Sequence, residues 1–330
     1  MRKLRRMLVA VKELDAKTFP ALVKAAQLAR ACGAEVELFH ALATPVYADV
    51  LTLGGKGIVA VEAELRQRAL RRLEAMADGL RRHSLRVSVA ADWDFPSYEA
   101  IIRRAVRIKA DLVVVGRHDG RHRVPWLLRL TDWELVRLSP IPVLLVKDAH
   151  AYRHPALLVA VDPTHSFAKP LRLDDRLLDI GSMISERMRG TLHAVHAYAR
   201  LPVASLRAKH FSPELVVDIE RQAALEAGKH FERSLRGRVA RSRRYLIGAH
   251  PIDAIREVAT KSRSAIVVMG AISRSGIRSM LIGNTAEKIL DELTCDILIV
   301  KPQKFRIRVR RTPQGPRVVL TAPMGQFGYY

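Results

Sequence analysis

Cysteine is scarce in this sequence. Cys32 and Cys295 are its only two in 330 residues, far apart and without metal-ligand spacing around them. Neither a disulfide framework nor a zinc site is indicated, and a reducing compartment, the cytoplasm, is the expectation. Long apolar runs are also lacking. The opening stretch Met7 to Val11 is cut at once by Lys12 and Glu13, too short for the core of a secretory leader. No segment approaches the roughly 18 uncharged apolar residues that a bilayer span requires. The familiar hydrolase signatures are missing as well: no G-x-S-x-G elbow, no H-E-x-x-H helix and no paired-carboxylate arrangement. No residue is therefore assigned a catalytic or metal-binding role. Gly54-Gly55-Lys56-Gly57 lacks the spacing of a phosphate-binding P-loop and reads as a flexible loop. His118 and His122 have no carboxylate or cysteine company, and His193 and His196, three apart on a strand, point to opposite faces.

Aromatic residues are only 5% of the chain while apolar residues make up 49%, the mix of a folded protein with cores of Val, Leu, Ile and Ala. Charge of one sign dominates: 56 basic against 33 acidic residues give +23. Fourteen of the basic residues are lysine and the rest arginine. Such a field attracts phosphates, nucleic acid or anionic lipid without naming any of them. Arg233, Arg236, Arg238, Arg241, Arg243 and Arg244 form one basic stripe, and Arg81, Arg82 and Arg86 its counterpart earlier in the chain. A solvated basic face is the simpler reading, because no nucleic-acid reader motif accompanies them.

The dominant pattern is an internal repeat. Leu8 to Val11 recurs as Leu158 to Val161, Glu35 to Ala41 as Thr191 to Ala197, Leu112 to Gly116 as Ile266 to Gly270, and Val143 to Lys147 as Ile297 to Lys301. Arg86 to Ala90 and Arg244 to Gly248 are poorer matches, each followed by a proline, Pro96 or Pro251, that begins a helical stretch. Continuous apolar runs mean strands buried on both faces, as in a parallel sheet covered by crossover helices. Between them lie amphipathic helices, one with an inward stripe through Leu65, Ala69, Leu73, Met76 and Leu80. The expected fold is α/β: two tandem, doubly wound, open parallel sheets of five strands, each an α/β/α sandwich. The boundaries read as 1–150 and 151–302, followed by a basic tail, 303–330, with six basic residues and no acidic one. That tail reads as disordered, although the alternation Phe305-Arg306-Ile307-Arg308-Val309-Arg310 argues for a strand.

Ligands of such sheets bind beyond the carboxyl ends of the strands, where neighbouring crossovers diverge. In the second repeat this selects Val161-Asp162-Pro163 and the segment from Met269 and Gly270 through Ser273 and Gly276 to Gly283-Asn284-Thr285. Small residues there let backbone N–H groups approach phosphate oxygens. The spacing Gly270, Ser273, Gly283, Asn284 resembles the G-x2-G-x9-G-[ST] loop of ATP-holding members of the universal stress protein family, with Ser273 and Asn284 as departures. Thr285 supplies a hydroxyl one residue later, and Asp162 resembles the family's acidic residue on the adenine side. Thr131-Asp132-Trp133, Ser139-Pro140-Ile141-Pro142-Val143, the run Gly270 to Ile277, Leu281 to Glu287 and Cys295-Asp296 extend the resemblance to tandem members over about residues 5 to 302. In the first repeat the same frame places Asp119 and Arg129 where glycines stand in the family and Lys12 where Asp162 stands, so that pocket is expected to be degenerate. Trp126 and Trp133 in that stretch read as space-filling or interface residues.

The resemblance implies an adenine-nucleotide alpha hydrolase-like fold and a non-catalytic cytoplasmic role in stress survival, including DNA damage or oxidative stress. The protein would act by binding a small ligand or a protein partner, a second copy included. Two alternatives stay open: ATP or another adenine nucleotide bound in the second domain with slow hydrolysis, and a basic nucleic-acid or anionic-lipid binder.

Overall fold

A computed structural model describes residues 4–42, 46–49, 55–117, 125–163, 173–198, 212–270, 292–303, 305, 309–315 and 318–321. The chain divides into two compact units: Lys3–Ile141 joined by the tail from Ile307 onward, and Pro142–Arg306.

In the first unit, β1 (Arg6–Ala10), β2 (Glu35–Leu42), β4 (Val87–Trp93) and β5 (Leu112–Gly116) form a parallel sheet in the order β4-β2-β1-β5. Met7, Leu8 and Val9 and the run Leu112 to Val115 are at most 1% exposed, which is why these strands carry no polar alternation. Helices α1 (Pro20–Cys32), α2 (Gly55–Arg81), α3 (Ser97–Arg107) and α4 (Pro125–Leu138) make the connections. Gly33, at φ 67°, ends α1 in the left-handed conformation that glycine adopts most cheaply. A short strand, β3 (Val46–Asp49), completes the elements before the tail.

In the second unit, β7 (Ala156–Ala160), β8 (Thr191–Tyr198), β9 (Arg244–Gly248), β10 (Ile266–Gly270) and β11 (Asp296–Val300) are parallel in the order β11-β10-β7-β8-β9. Helices α5 (Leu173–Arg187), α6 (Pro213–Leu235) and α7 (Pro251–Lys261) belong to this unit. Pro251 is the first residue of α7, while Pro96 serves as the N-cap of α3, one position earlier than an N1 proline.

One strand has a second partner, and three features differ from expectation. The strand β6 (Val143–Val146), which follows β5 in the strand order as the repeat requires, also pairs antiparallel with β11, Leu144 opposite Leu298. Four fully buried residues, VLLV, need a covered ladder, and the open edge of β11 supplies it. Asp296 supports this pairing: its carboxylate, buried at the start of β11, accepts the backbone N–H of Lys147 at 2.8 Å and of Asp148 at 3.0 Å, and the Tyr152 hydroxyl at 2.5 Å. Burial, then the neighbouring Asp296, pushes the Tyr152 phenol well above its ordinary value, so the hydroxyl keeps its proton and donates.

The tail is ordered where it can be described. Val309 is buried, and the main chain of Val318–Thr321, β12, pairs in parallel with β3, Val318 opposite Val46. Tail residues answer buried polar groups of the first unit: the Gln314 N–H donates to Asp94 at 2.9 Å and Arg103 donates to the Arg310 carbonyl at 3.1 Å. That satisfaction is what disorder would forgo. Gly55 to Gly57, expected in a loop, start α2 instead. Finally, Leu65 lies outside the core at 36% exposure; the buried line of α2 runs Ala69, Leu73, Ala77, an i, i+4, i+8 ridge.

Candidate functional site

The strand orders place the crossover reversal of each unit between its first and fourth strands, β1 and β5 in one and β7 and β10 in the other. Val161-Asp162 and Gly270 therefore stand at the same, carboxyl, end of adjacent strands, where the crevice of a doubly wound sheet opens.

Within the second unit, the Val161 N–H donates to Val195 at 3.0 Å, and its carbonyl faces Nδ1 of buried His196 at 3.2 Å. The first unit repeats this device with His40 Nδ1 2.7 Å from the Val11 carbonyl. Burial lowers the His40 pKa, opposed by that same hydrogen bond, so the neutral ring donates from Nδ1 and ties β2 to the turn after β1. The paired histidines that the sequence separates on a strand thus have different tasks: His193 stacks against Tyr245 with ring centroids 6.0 Å apart.

The Asp162 N–H donates to the Asp174 carboxylate at 3.1 Å, so the turn is pinned by the first turn of α5. Met269 is 5% exposed and belongs to the core. Gly270 has a reason to be glycine that involves no phosphate: a Cβ there would lie 2.6 Å from Leu173 Cδ2, because α5 crosses directly over the strand end. Of the expected ligand residues, Val161, Asp162, Met269 and Gly270 are gathered at this crevice. Ser273, Gly276, Gly283, Asn284 and Thr285 lie outside the described residues, as do Asp119 and the side chains of Arg129 and Trp126.

In the first unit the equivalent turn carries Lys12, and its ammonium forms a salt bridge with Asp132 of α4, both side chains being at most 13% exposed. Asp132 belongs to the Thr-Asp-Trp motif, but its role as the lysine's counter-ion could not be read from spacing, since 120 residues separate the two.

Much of the arginine stripe is neutralised. Arg236 and Arg238 meet Asp175 at 3.3 Å, Arg238 also meets Asp179, and Arg244 pairs with Glu232. Arg81 is held by Glu74 and Asp78, and Arg86 by Glu35. Among the described residues no group of three or more His, Cys, Asp or Glu could hold a metal, and no helix is long and apolar enough to cross a membrane.

Comparison with known proteins decides the family. The universal stress protein family model matches twice, over residues 3–147 and 156–301. The chain belongs to the universal stress protein family. It is a tandem member, and membership implies a stress-response role. Among curated relatives, universal stress protein E of Salmonella typhi is 27% identical over 302 residues, covering 88% of this chain and 92% of its own. The Escherichia coli (strain K12) protein of the same name is 28% identical over 225 residues, covering 68% of this chain and 71% of its own. A crystal structure of a universal stress protein from Pseudomonas aeruginosa UCBPP-PA14 shares the fold with a TM-score of 0.69 and 22% identity, covering 92% of this chain and 95% of that one.

Proposed function

We propose that this tandem universal stress protein is a non-catalytic stress-response protein that holds a small ligand at the crevice of its second unit. The observation that carries the reading is the inequality of two crevices of the same construction. In the first unit the turn position is filled by Lys12 locked to Asp132; in the second it carries an acidic residue, Asp162, at the mouth beside Gly270, with its backbone N–H on Asp174. Asp162 is half-buried and its side chain is suited to accept hydrogen bonds from an amino or hydroxyl group. An adenine nucleotide is the ligand class the family loop suggests. Its phosphates would meet the segment after Gly270, and Asp162 the base or ribose. Stress survival then follows from ligand-dependent binding to a protein partner, with oxidative or DNA-damaging conditions as the setting.

The test is native mass spectrometry of the purified protein together with thermal unfolding at millimolar ATP. Bound nucleotide, or a rise in unfolding temperature that Asp162→Ala abolishes, supports the reading. A protein free of nucleotide and unmoved by ATP overturns it, since any ligand of the native state stabilises by mass action.

A further inference from the structure

A cavity of about 180 Å³ lies in the first unit, away from the β1/β5 reversal, at the carboxyl end of β4. Its walls include Arg66 of α2, Arg103, Arg104 and Arg107 of α3, Asp92 of β4 and Pro313 of the tail. Two of these groups are occupied. Arg103, 6% exposed, is bonded to Asp94 through Nε at 2.8 Å and a terminal nitrogen at 2.5 Å, and to Glu99 at 2.8 Å. Asp94 in turn takes the Gln314 N–H at 2.9 Å, which sets Pro313 against the opening.

The other three guanidinium groups converge on one carboxylate without reaching it. Arg66 approaches Asp92 to 3.8 Å, Arg107 to 3.8 Å and Arg104 to 4.0 Å, all beyond hydrogen-bonding distance. Arg66 spends Nε on the Ala91 carbonyl at 2.8 Å, and Arg104 spends one edge on Glu37 at 2.6 and 3.0 Å. What remains facing the cavity is three guanidinium groups against Asp92 and Glu62. Trp93 also lines the wall. Planar donors at this spacing around a half-open cavity match a group with two or three oxygens, which hydrogen-bonds guanidinium at about 2.8 Å.

We propose that this cavity is an oxyanion site, taking the phosphate or carboxylate group of a small molecule, with Arg66 and Arg107 as its principal donors and Asp92 as the internal competitor. It is a second site, independent of any ligand at the second unit's crevice.

Inorganic phosphate, and in parallel acetate, is titrated into the full-length protein at ionic strength matched with chloride, and thermal unfolding is followed. The expected result is a saturable stabilisation by phosphate, by acetate or by both, the two arms telling which oxyanion the site prefers. In Arg107→Ala, an exposed position where folding is not at stake, the midpoint of the response moves about tenfold higher, the value of one charged hydrogen bond. In Asp92→Asn it moves several-fold lower because the competitor has lost its charge. Absence of any saturable response to either anion overturns the proposal. So does a response that both variants leave unchanged, which would belong to the protein's general positive charge.

Discussion

Gly270 and Gly190, each packed against a neighbour, do different things at the level of single atoms. A Cβ on Gly270 would meet the end of the Leu173 side chain at 2.6 Å, whereas one on Gly190 would meet the Pro155 carbonyl oxygen at 2.0 Å. A leucine terminus can rotate; a backbone carbonyl that accepts the Thr191 N–H at 3.0 Å cannot. Gly270→Ala is therefore expected to cost about 1 kcal/mol and Gly190→Ala about 3 kcal/mol or more, the range for forced overpacking. Denaturant unfolding of the two variants checks the order. Titration gives a second residue-level expectation. The folded protein lowers the His40 pKa from its ordinary 6.5 through burial, and that of His193 through burial and then Arg243. Below 6.5 the unfolded chain therefore binds protons that the folded chain refuses, so these residues' share of stability is present above 6.5 and declines as pH falls beneath it. Replacing His40 by Gln should flatten the decline between pH 6.5 and 5 in denaturation midpoints. An equally steep decline in the variant would rule out His40 as its source.

Among the elements, β6 has a pairing that the repeat pattern leaves unstated. Its four apolar residues recur faithfully in β11, and recurrence alone does not say that the two copies pair; the buried Asp296, bonded to the chain just after β6, supports that antiparallel ladder. Asp296→Ala strands two backbone N–H groups and the Tyr152 hydroxyl in a buried setting, an expected loss of about 3 kcal/mol, while Tyr152→Phe removes one donor for about 1 kcal/mol. Equilibrium unfolding of both variants tests the ratio, and equal losses would mean that the carboxylate's backbone contacts contribute nothing. The same logic explains what was legible. The core strands could be read because burial on both faces erases polar alternation, and the crevice location followed from strand order once the repeat was seen. Leu65 was misplaced because helical spacing fixes a face but not where along α2 the sheet stops covering it. Lys12 with Asp132, and the arginines around Asp92, escaped because their partners lie 12 to 120 residues away on other elements, and a one-dimensional pattern holds no distance of that kind.

For the molecule as a whole, the chain's course matters more than its charge. The net +23 already counts every carboxylate, so where Arg104, Arg238 and Arg244 meet Glu37, Asp175 and Glu232 the charge is locally balanced and the excess resides on other basic residues. The tail is the other global feature: after completing the second unit, the chain returns to the first and binds it by Gln314 to Asp94 and Glu99, by Arg310 to Arg103, by Gly315 to the Phe95 N–H and by β12 to β3. Removing residues 307–330 leaves Asp94 and Arg103 without these partners and opens one wall of the arginine-lined cavity. The loss to the first unit should be about 1–3 kcal/mol, the cost of stranded polar groups. Because each 1.4 kcal/mol is about a tenfold change in an opening equilibrium, amides of α3 and of Asp94 and Phe95 should exchange hydrogen about tenfold faster in the truncated protein. Those of β7, β10 and β11 should keep their rates, since the deleted residues belong to the first unit. Unchanged exchange in α3 would mean that the docked tail adds no stability. Acceleration in both units alike would mean instead that the tail supports the fold as a whole, and the cavity variants would then have to be compared only within the full-length chain.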